Sequence, residues 1–338
     1  MRNGWTGGQY SLFRCLFGLY LAQTFLGLAA SSARPTGLAA IGAAASLLLV
    51  AGWQDRLVAA ALLGLGAVLA LAEPDRLVAT YAGLGWLLLM HVLLPRAPYG
   101  SVEARGRSDP GAGWRMPGWI LGPTWVPLAA GVGWTLGHWA GLPATLAVLP
   151  LALFARVRPW LWSAFALALG VRVVLAGAES GALHVAPLLL FVFDPGWIRP
   201  RMPRTREVLF YDGSCGLCHR AVRFLLAEDA AGQRFGFAPL DGATFRARVP
   251  ERRRQGLPDS LVLLTEESDL LTRSAGVLRI LARLGGLWRL LGALARLVPA
   301  AARDAAYDLV ARVRHRLFAR PEQACPIAAD HLQARFLP

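Results

Sequence analysis

The 338-residue sequence contains no lysine: all 35 of its basic residues are arginine. That absence excludes any mechanism that needs a lysine as general base or Schiff-base former. Acidic residues are few, 21 in all, and the formal net charge of +14 points toward anionic lipid or nucleic acid as a partner. No nucleic acid is expected, because the arginines flank apolar segments and no recognition motif is present. Cysteine is scarce as well. Cys15, Cys215, Cys218 and Cys325 are too few and too scattered for a secreted disulfide scaffold.

What is abundant is apolar sequence, and it is unevenly distributed. Hydrophobic residues make up 55% of the chain and the mean hydropathy is +0.44, values that one water-soluble core does not normally reach. Long Leu, Ala, Gly, Val and Trp runs extend from Ser11 to about Trp197; beyond that the sequence turns charged and mixed. The expected fold is a polytopic α-helical membrane domain (1–197) of about eight spans, a basic juxtamembrane linker (198–206) and an α/β thioredoxin-like domain (207–338). Windows long enough to cross a bilayer lie near 11–31, 38–54, 57–73, 77–95, 118–136, 142–156, 159–177 and 181–197. A cleaved signal peptide over the first thirty residues is disfavoured, since Arg14 interrupts the apolar run and further windows follow.

Arginine placement sets the expected orientation. With the N-terminus inside, the inner loops carry Arg56, then Arg96, Arg105, Arg107 and Arg115, then Arg156 and Arg158, and finally Arg199, Arg201, Arg204 and Arg206. The outer loops have Arg34 and Arg76, the latter beside Glu73 and Asp75. Both termini are therefore expected in the cytoplasm, as for an integral protein of a bacterial inner membrane. Ionisable residues inside the windows are functional suspects, because charge in a bilayer is costly. They are Arg14, His91, Arg172, His184 and Asp194. Arg14 and Asp194 sit where they can snorkel to the interface, and Arg172 is placed to form a polar cluster with Glu179 or His184. The runs "YSLFRCLFGLYLAQTFLGL" and "HVAPLLLFVFDPGW" resemble the HTTM family, a membrane domain related to vitamin K-dependent gamma-carboxylase. If that carboxylation chemistry needs a lysine base, this chain lacks it.

The segment Asp194 to Arg206, with three prolines among its arginines, reads as a linker attracted to an anionic leaflet. Chemistry is expected just after it, in "VLFYDGSCGLCHRAVRFLL". Val208 to Tyr211 is a short apolar strand, Asp212-Gly213 a turn, Ser214 a candidate helix cap, and the following residues an amphipathic helix. Cys215 and Cys218 then fall at the helix N-terminus, where unpaired N–H groups and the helix dipole favour a thiolate. Cys215, nearer the end and more exposed, is the expected attacking thiol; Cys218, one turn on, is the expected resolving thiol. Further strands are expected at 234–240, 259–264 and 269–273, and helices at 274–285, 287–298 and 301–318.

Asp212-Gly213-Ser214-Cys215-Gly216-Leu217-Cys218, with Val222 and Phe224, resembles the DCC family of thiol-disulfide oxidoreductases. "PDSLVLL", "ILARLGGLWRLL", "YDLVARVRHRLF" and "CPIAADHLQARFLP" extend the likeness over about 206–338. It implies a redox pair of Cys215 and Cys218, with Asp212 and Gly213 completing the signature. The sequence departs from that pattern at "SAGVL", at "TEESDLL", which lacks the usual hairpin glycine, and at Val313 and His315.

Several residues carry two readings. Asp212 is placed to relay a proton to Cys218 or simply to satisfy turn N–H groups. His219 can tune the pair electrostatically or stand as an exposed helix residue. Cys325 is a third redox thiol or a buried one; with His331 it could supply the two further ligands of a structural metal only if the tail folds back. No metal or cofactor is expected. Pro258 stands near the place of a substrate-binding cis-proline, Cys15 is expected to pack, and the arginines from Arg289 to Arg320 form either a solvated or a membrane-adhering face, Trp288 favouring the latter. The expected function is exchange of two electrons with a protein or small-molecule disulfide or dithiol, acting as reductant in a reducing cytosol. The alternative is a membrane transport or small-molecule-binding protein regulated by a redox-sensing domain.

Overall fold

The computed structural model describes the chain except residues 1–2, 32–35, 97–98, 112, 138–142, 144–146, 178–181, 259 and 319–328; at 31, 36, 75–80, 182, 315 and 317 only the backbone is described. Two compact units result. One comprises Met1–Trp5, Tyr10–Glu103 and Arg115–Asp194; the other comprises Thr6–Gln9, Ala104–Trp114 and Pro195–Pro338.

The first unit is helical: α1 (Gly7–Ser31), α2 (Thr36–Ala51), α3 (Asp55–Ala72), α4 (Pro74–Leu93), α5 (Gly118–Leu136), α6 (Arg158–Ala176) and α7 (Ala186–Val192). Among the described residues, three stretches, Gly7–Ala30, Asp55–Ala72 and Arg158–Ala176, are long and apolar enough to cross a membrane, fewer than the eight windows of the sequence. The shortfall has local causes. With 16 residues α2 reaches about 24 Å, short of a hydrocarbon core. In α4 the first turn holds Asp75 and Arg76, which leaves Tyr81–Leu93 as its apolar part. Pro123 and Pro127 lie inside α5. Window 181–197 is broken into a 3-10 turn (Ala182–Val185), α7 and another 3-10 turn (Pro195–Trp197). In window 142–156, partly outside the described residues, Leu149–Leu153 is a 3-10 turn.

Several polar residues of this unit find partners inside it. Arg14 is fully buried, with Nη2 donating to the carbonyls of Gly100 (2.6 Å) and Val50 (3.4 Å). It does not snorkel, because main-chain carbonyls at the end of α2 and in the loop after α4 take up its charge. His91 Nδ1 meets the Tyr10 hydroxyl, and its Nε2 lies 3.7 Å from Asp55 Oδ2. His184 bonds Tyr20 (2.5 Å) rather than Arg172, and Glu179 lies outside the described residues. Asp194 accepts from Gly4 N at 2.7 Å, and the Cys15 thiol donates to Val50 O.

The second unit is built on a mixed four-stranded sheet, β1 (Glu207–Tyr211), β2 (Phe235–Pro239), β3 (Val262–Leu264) and β4 (Leu270–Thr272), ordered β2-β1-β3-β4. β1 and β2 run parallel, while β3 is antiparallel to both β1 and β4. Successive side chains of a strand point to opposite faces. Leu209 and Tyr211 enter one core with Val222, Phe237, Leu263 and Ile280, whereas Val208 and Phe210 enter another with Phe245 and Val262. Both faces are covered, which is why Val208–Tyr211 reads as an uninterrupted apolar run.

Around the sheet lie α8 (Gly216–Glu228), α9 (Ala243–Arg248), α10 (Glu251–Arg254), α11 (Arg273–Leu284), α12 (Gly286–Ala295), α13 (Ala300–Leu317) and α14 (Asp330–Gln333). After α14 the chain runs beside β2: Phe336 bridges Phe237, which donates to Arg335 O (2.9 Å) and accepts from Leu337 N (2.7 Å). Below the strand ends, Glu207 is wholly buried. Its Oε1 accepts Arg279 Nε (2.9 Å) and Arg283 Nε and Nη2 (3.1 and 2.7 Å). Glu266 and Glu267 grip the same two guanidinium groups at 2.6 Å. The three carboxylates thus converge on arginine cations.

The β3–β4 hairpin solves its missing glycine by strain. Ser268 takes φ 68°, the left-handed conformation that glycine adopts without penalty, and its N–H donates to Thr265 O at 3.0 Å. Ser268→Gly is therefore expected to stabilise this unit by about 0.5–1 kcal/mol. Slower hydrogen exchange across β3 and β4 is the readout; unchanged or faster exchange would refute it.

Candidate dithiol site

The local sequence places both cysteines by elementary rules. β1 ends at Tyr211, and a tight turn follows in which Cys215 N donates to Asp212 O at 3.2 Å. The Asp212 carboxylate stays in that turn: Oδ1 accepts both Ser214 N and Ser214 Oγ at 2.8 Å. Ser214 is therefore not the helix cap. That position belongs to Cys215 itself, whose Sγ accepts the N–H of Cys218 at 3.3 Å, while Cys215 O accepts His219 N. The Cys215 sulphur thus takes one of the free N–H groups at the start of α8 and sits at that helix's N-terminal end.

The greater exposure expected for Cys215 is not found. Cys215 is 1% and Cys218 4% exposed, because both belong to the core cluster with Leu209, Tyr211 and Val222, against which Leu217 and Leu261 also pack. Both are free thiols. Burial pushes the Cys218 thiol up to about 12, assisted by the hydrogen bond and charge of Cys215 and opposed by the Asp212 main chain and the Arg314 cation. Because the folded state holds that proton more tightly than an unfolded chain, its contribution to stability is whole below about pH 9 and drains away as pH climbs toward 12.

His219 is buried as well, not an exposed helix residue. Its Nε2 meets Gly213 O at 3.0 Å and its ring stands edge-on to Tyr211. Since a carbonyl only accepts, Nε2 carries the proton there. The ring thus ties α8 back to the turn that precedes it.

Arg314, read from the sequence as one arginine of a solvated or membrane-adhering face, is instead buried at this site. It lies on α13, which packs on α8, and its Nη2 approaches Asp212 Oδ2 at 3.7 Å while the side chain is almost fully buried. A buried cation beside the dithiol turn lowers the cost of negative charge on sulphur. The available signal was "YDLVARVRHRLF": its Tyr307 also reaches the site region, accepting Leu261 N at 3.1 Å just ahead of β3. No peptide bond is cis among the described residues, Pro258 included. Cys325 lies outside them, and His331 faces Asp109 at 3.6 Å.

A helix-capping sulphur three residues from a second buried thiol, after the first strand of a mixed sheet, is an arrangement suited to thiol–disulfide exchange. Comparison with known proteins points to the same class. Residues 209–320 match the DCC1-like thiol-disulfide oxidoreductase family. The uncharacterized protein YuxK of Bacillus subtilis (strain 168) is 32% identical over 136 residues, covering 39% of this chain and 94% of that protein. Through this part of its length the chain belongs to the DCC1-like thiol-disulfide oxidoreductase family. No solved structure matches the chain.

Proposed function

We propose that the chain is a membrane-anchored thiol-disulfide oxidoreductase working through Cys215 and Cys218 on the cytoplasmic face, as a reductant of protein or small-molecule disulfides. The observation that carries this reading is the Cys215 sulphur capping α8 and accepting the Cys218 N–H. In the first step the Cys215 thiolate attacks a substrate disulfide, whose S–S bond breaks as one substrate sulphur leaves and takes up a proton. In the second, Cys218 gives up its proton and attacks Cys215 Sγ, which releases the other substrate thiol and leaves a Cys215–Cys218 disulfide. Two electrons pass to the substrate, and a cellular dithiol returns them.

The burial of both sulphurs requires the rim at Leu217 and Leu261 to shift before a substrate can enter. The thioredoxin-like character of the domain is supported by its strand order and by a helix following β1. Membrane anchoring is supported by the three apolar helices, and the cytoplasmic face by the arginine bias. Anionic lipid is the partner proposed for Arg199 to Arg206.

Trapping tests the chemistry. A Cys218→Ser chain is expected to accumulate substrates as mixed disulfides on Cys215, visible as reductant-sensitive adducts. If no adduct forms, or if adducts persist at equal yield when Cys215→Ser is added, the reading fails. A reporter fused after Pro338 tests the face, since an exported reporter would contradict it.

A further inference from the structure

We infer that α12 and the turn that leads from it into α13 form a membrane-surface anchor that inserts its apolar tip into an anionic bilayer. Exposed large hydrophobic side chains are concentrated there. Leu290, Leu291 and Leu294 on α12, Leu297 and Val298 in the turn, and Leu309 and Val310 on α13 are all open to solvent, and Leu297 at the tip is 81% exposed. Among the described residues of the second unit, no other large hydrophobic side chain is as open to solvent except Met202, which stands among the linker arginines. Five of these side chains fall within the nine residues from Leu290 to Val298, and exposed apolar surface clustered in this way marks a binding face.

Charge selects the occupant. Arg296, Arg312 and Arg316 are exposed beside these leucines and valines, and Arg303 is half-buried. The acids of α13 are turned away from that role: Asp304 accepts from Ser274 N and Oγ, and Asp308 pairs with Arg273 at 2.9 Å. What remains outward is leucine, valine and arginine, the composition that lies in a headgroup layer with apolar residues below and cations among the phosphates. A second copy of the chain would bring these arginines against their like, whereas anionic lipid neutralises them. Trp288, by contrast, is no anchor, since its Nε1 donates to buried Glu228 and its ring packs on Phe224. Such a contact would fix the dithiol domain at the membrane surface by a second point besides its chain connection.

The inference rests on the helical half being embedded in a bilayer, so the experiment carries its own control. Full chain is placed in nanodiscs containing phosphatidylglycerol, with a photoreactive group introduced as Leu297→benzoylphenylalanine, and in separate samples as Leu71→benzoylphenylalanine on α3 and Gln255→benzoylphenylalanine on the exposed surface after α10. Lipid adducts are counted by mass spectrometry after irradiation. Adducts at Leu71 and Leu297 but not at Gln255 are expected. With Arg296→Gln, the Leu297 yield should fall by up to about fivefold, and zwitterionic lipid should lower it likewise. Adducts at Leu71 alone would overturn the anchor while leaving the embedded helices intact; no adduct at Leu71 would overturn the embedding itself. Crosslinks from Leu297 to a second copy in place of lipid would also overturn the inference.

Discussion

A Cys215→Ser chain is expected to lose disulfide reduction by roughly three orders of magnitude or more, since a serine hydroxyl cannot replace the thiolate as nucleophile or leaving group. The structure makes the loss specific. Serine is smaller than cysteine and its oxygen can still accept the Cys218 N–H, so α8 keeps its cap and the core around Leu209 and Val222 loses little. The measurement is insulin-disulfide reduction by the full chain in detergent or nanodiscs with a recycling dithiol. Activity within tenfold of the parent would remove Cys215 from the chemistry. Cys218→Ser should differ in kind: the first attack survives, and turnover stops at the mixed disulfide because the buried resolving sulphur is gone.

The second large effect concerns stability. Glu207→Ala is expected to cost the dithiol domain about 3 kcal/mol, the low end for breaking a buried ion pair. Removing the carboxylate strips Arg283, itself buried, of two donor–acceptor contacts and leaves it only Glu266 and the Arg201 carbonyl. Arg279 is more exposed and keeps Glu267, which is why the upper end of the range is not expected. Glu207 heads β1, so the damage should appear as about a hundredfold faster hydrogen exchange along Leu209 to Tyr211 and its neighbours in β2. Exchange that stays within threefold of the parent would mean that the network is ornamental. Glu207→Gln, which retains an acceptor, should lie between.

Much of the dithiol domain was legible from periodicity and punctuation. Both faces of β1 are buried, so Val208–Tyr211 announced itself as an apolar run; Asp212-Gly213 announced the turn; and the helix from Gly216 followed from its apolar face. The expected strands and helices from 234 to 318 were recovered within a few residues at each end. What stayed hidden depended on distant partners. Arg314 is one of 35 arginines, and nothing local distinguishes the one that faces Asp212 across a hundred positions. Nothing local marks Glu207 as buried, because the two guanidinium groups that satisfy it come from α11. Burial of the cysteines depended on Leu261 and Tyr211 closing around the turn, again a tertiary event. In the helical half, hydropathy located apolar stretches but overstated their continuity, since Pro187 and Pro195 break the last of them and Pro150 falls in a 3-10 turn.

The run from Arg335 to Leu337 beside β2 has a practical meaning for anyone handling this chain. β2 is the outermost strand on its side of the sheet, and Phe237 has both of its main-chain groups satisfied by that run. Trimming those few residues, by protease or by cloning, would bare Phe237 and its N–H and C=O to other molecules, turning a shielded border into a template for aggregation.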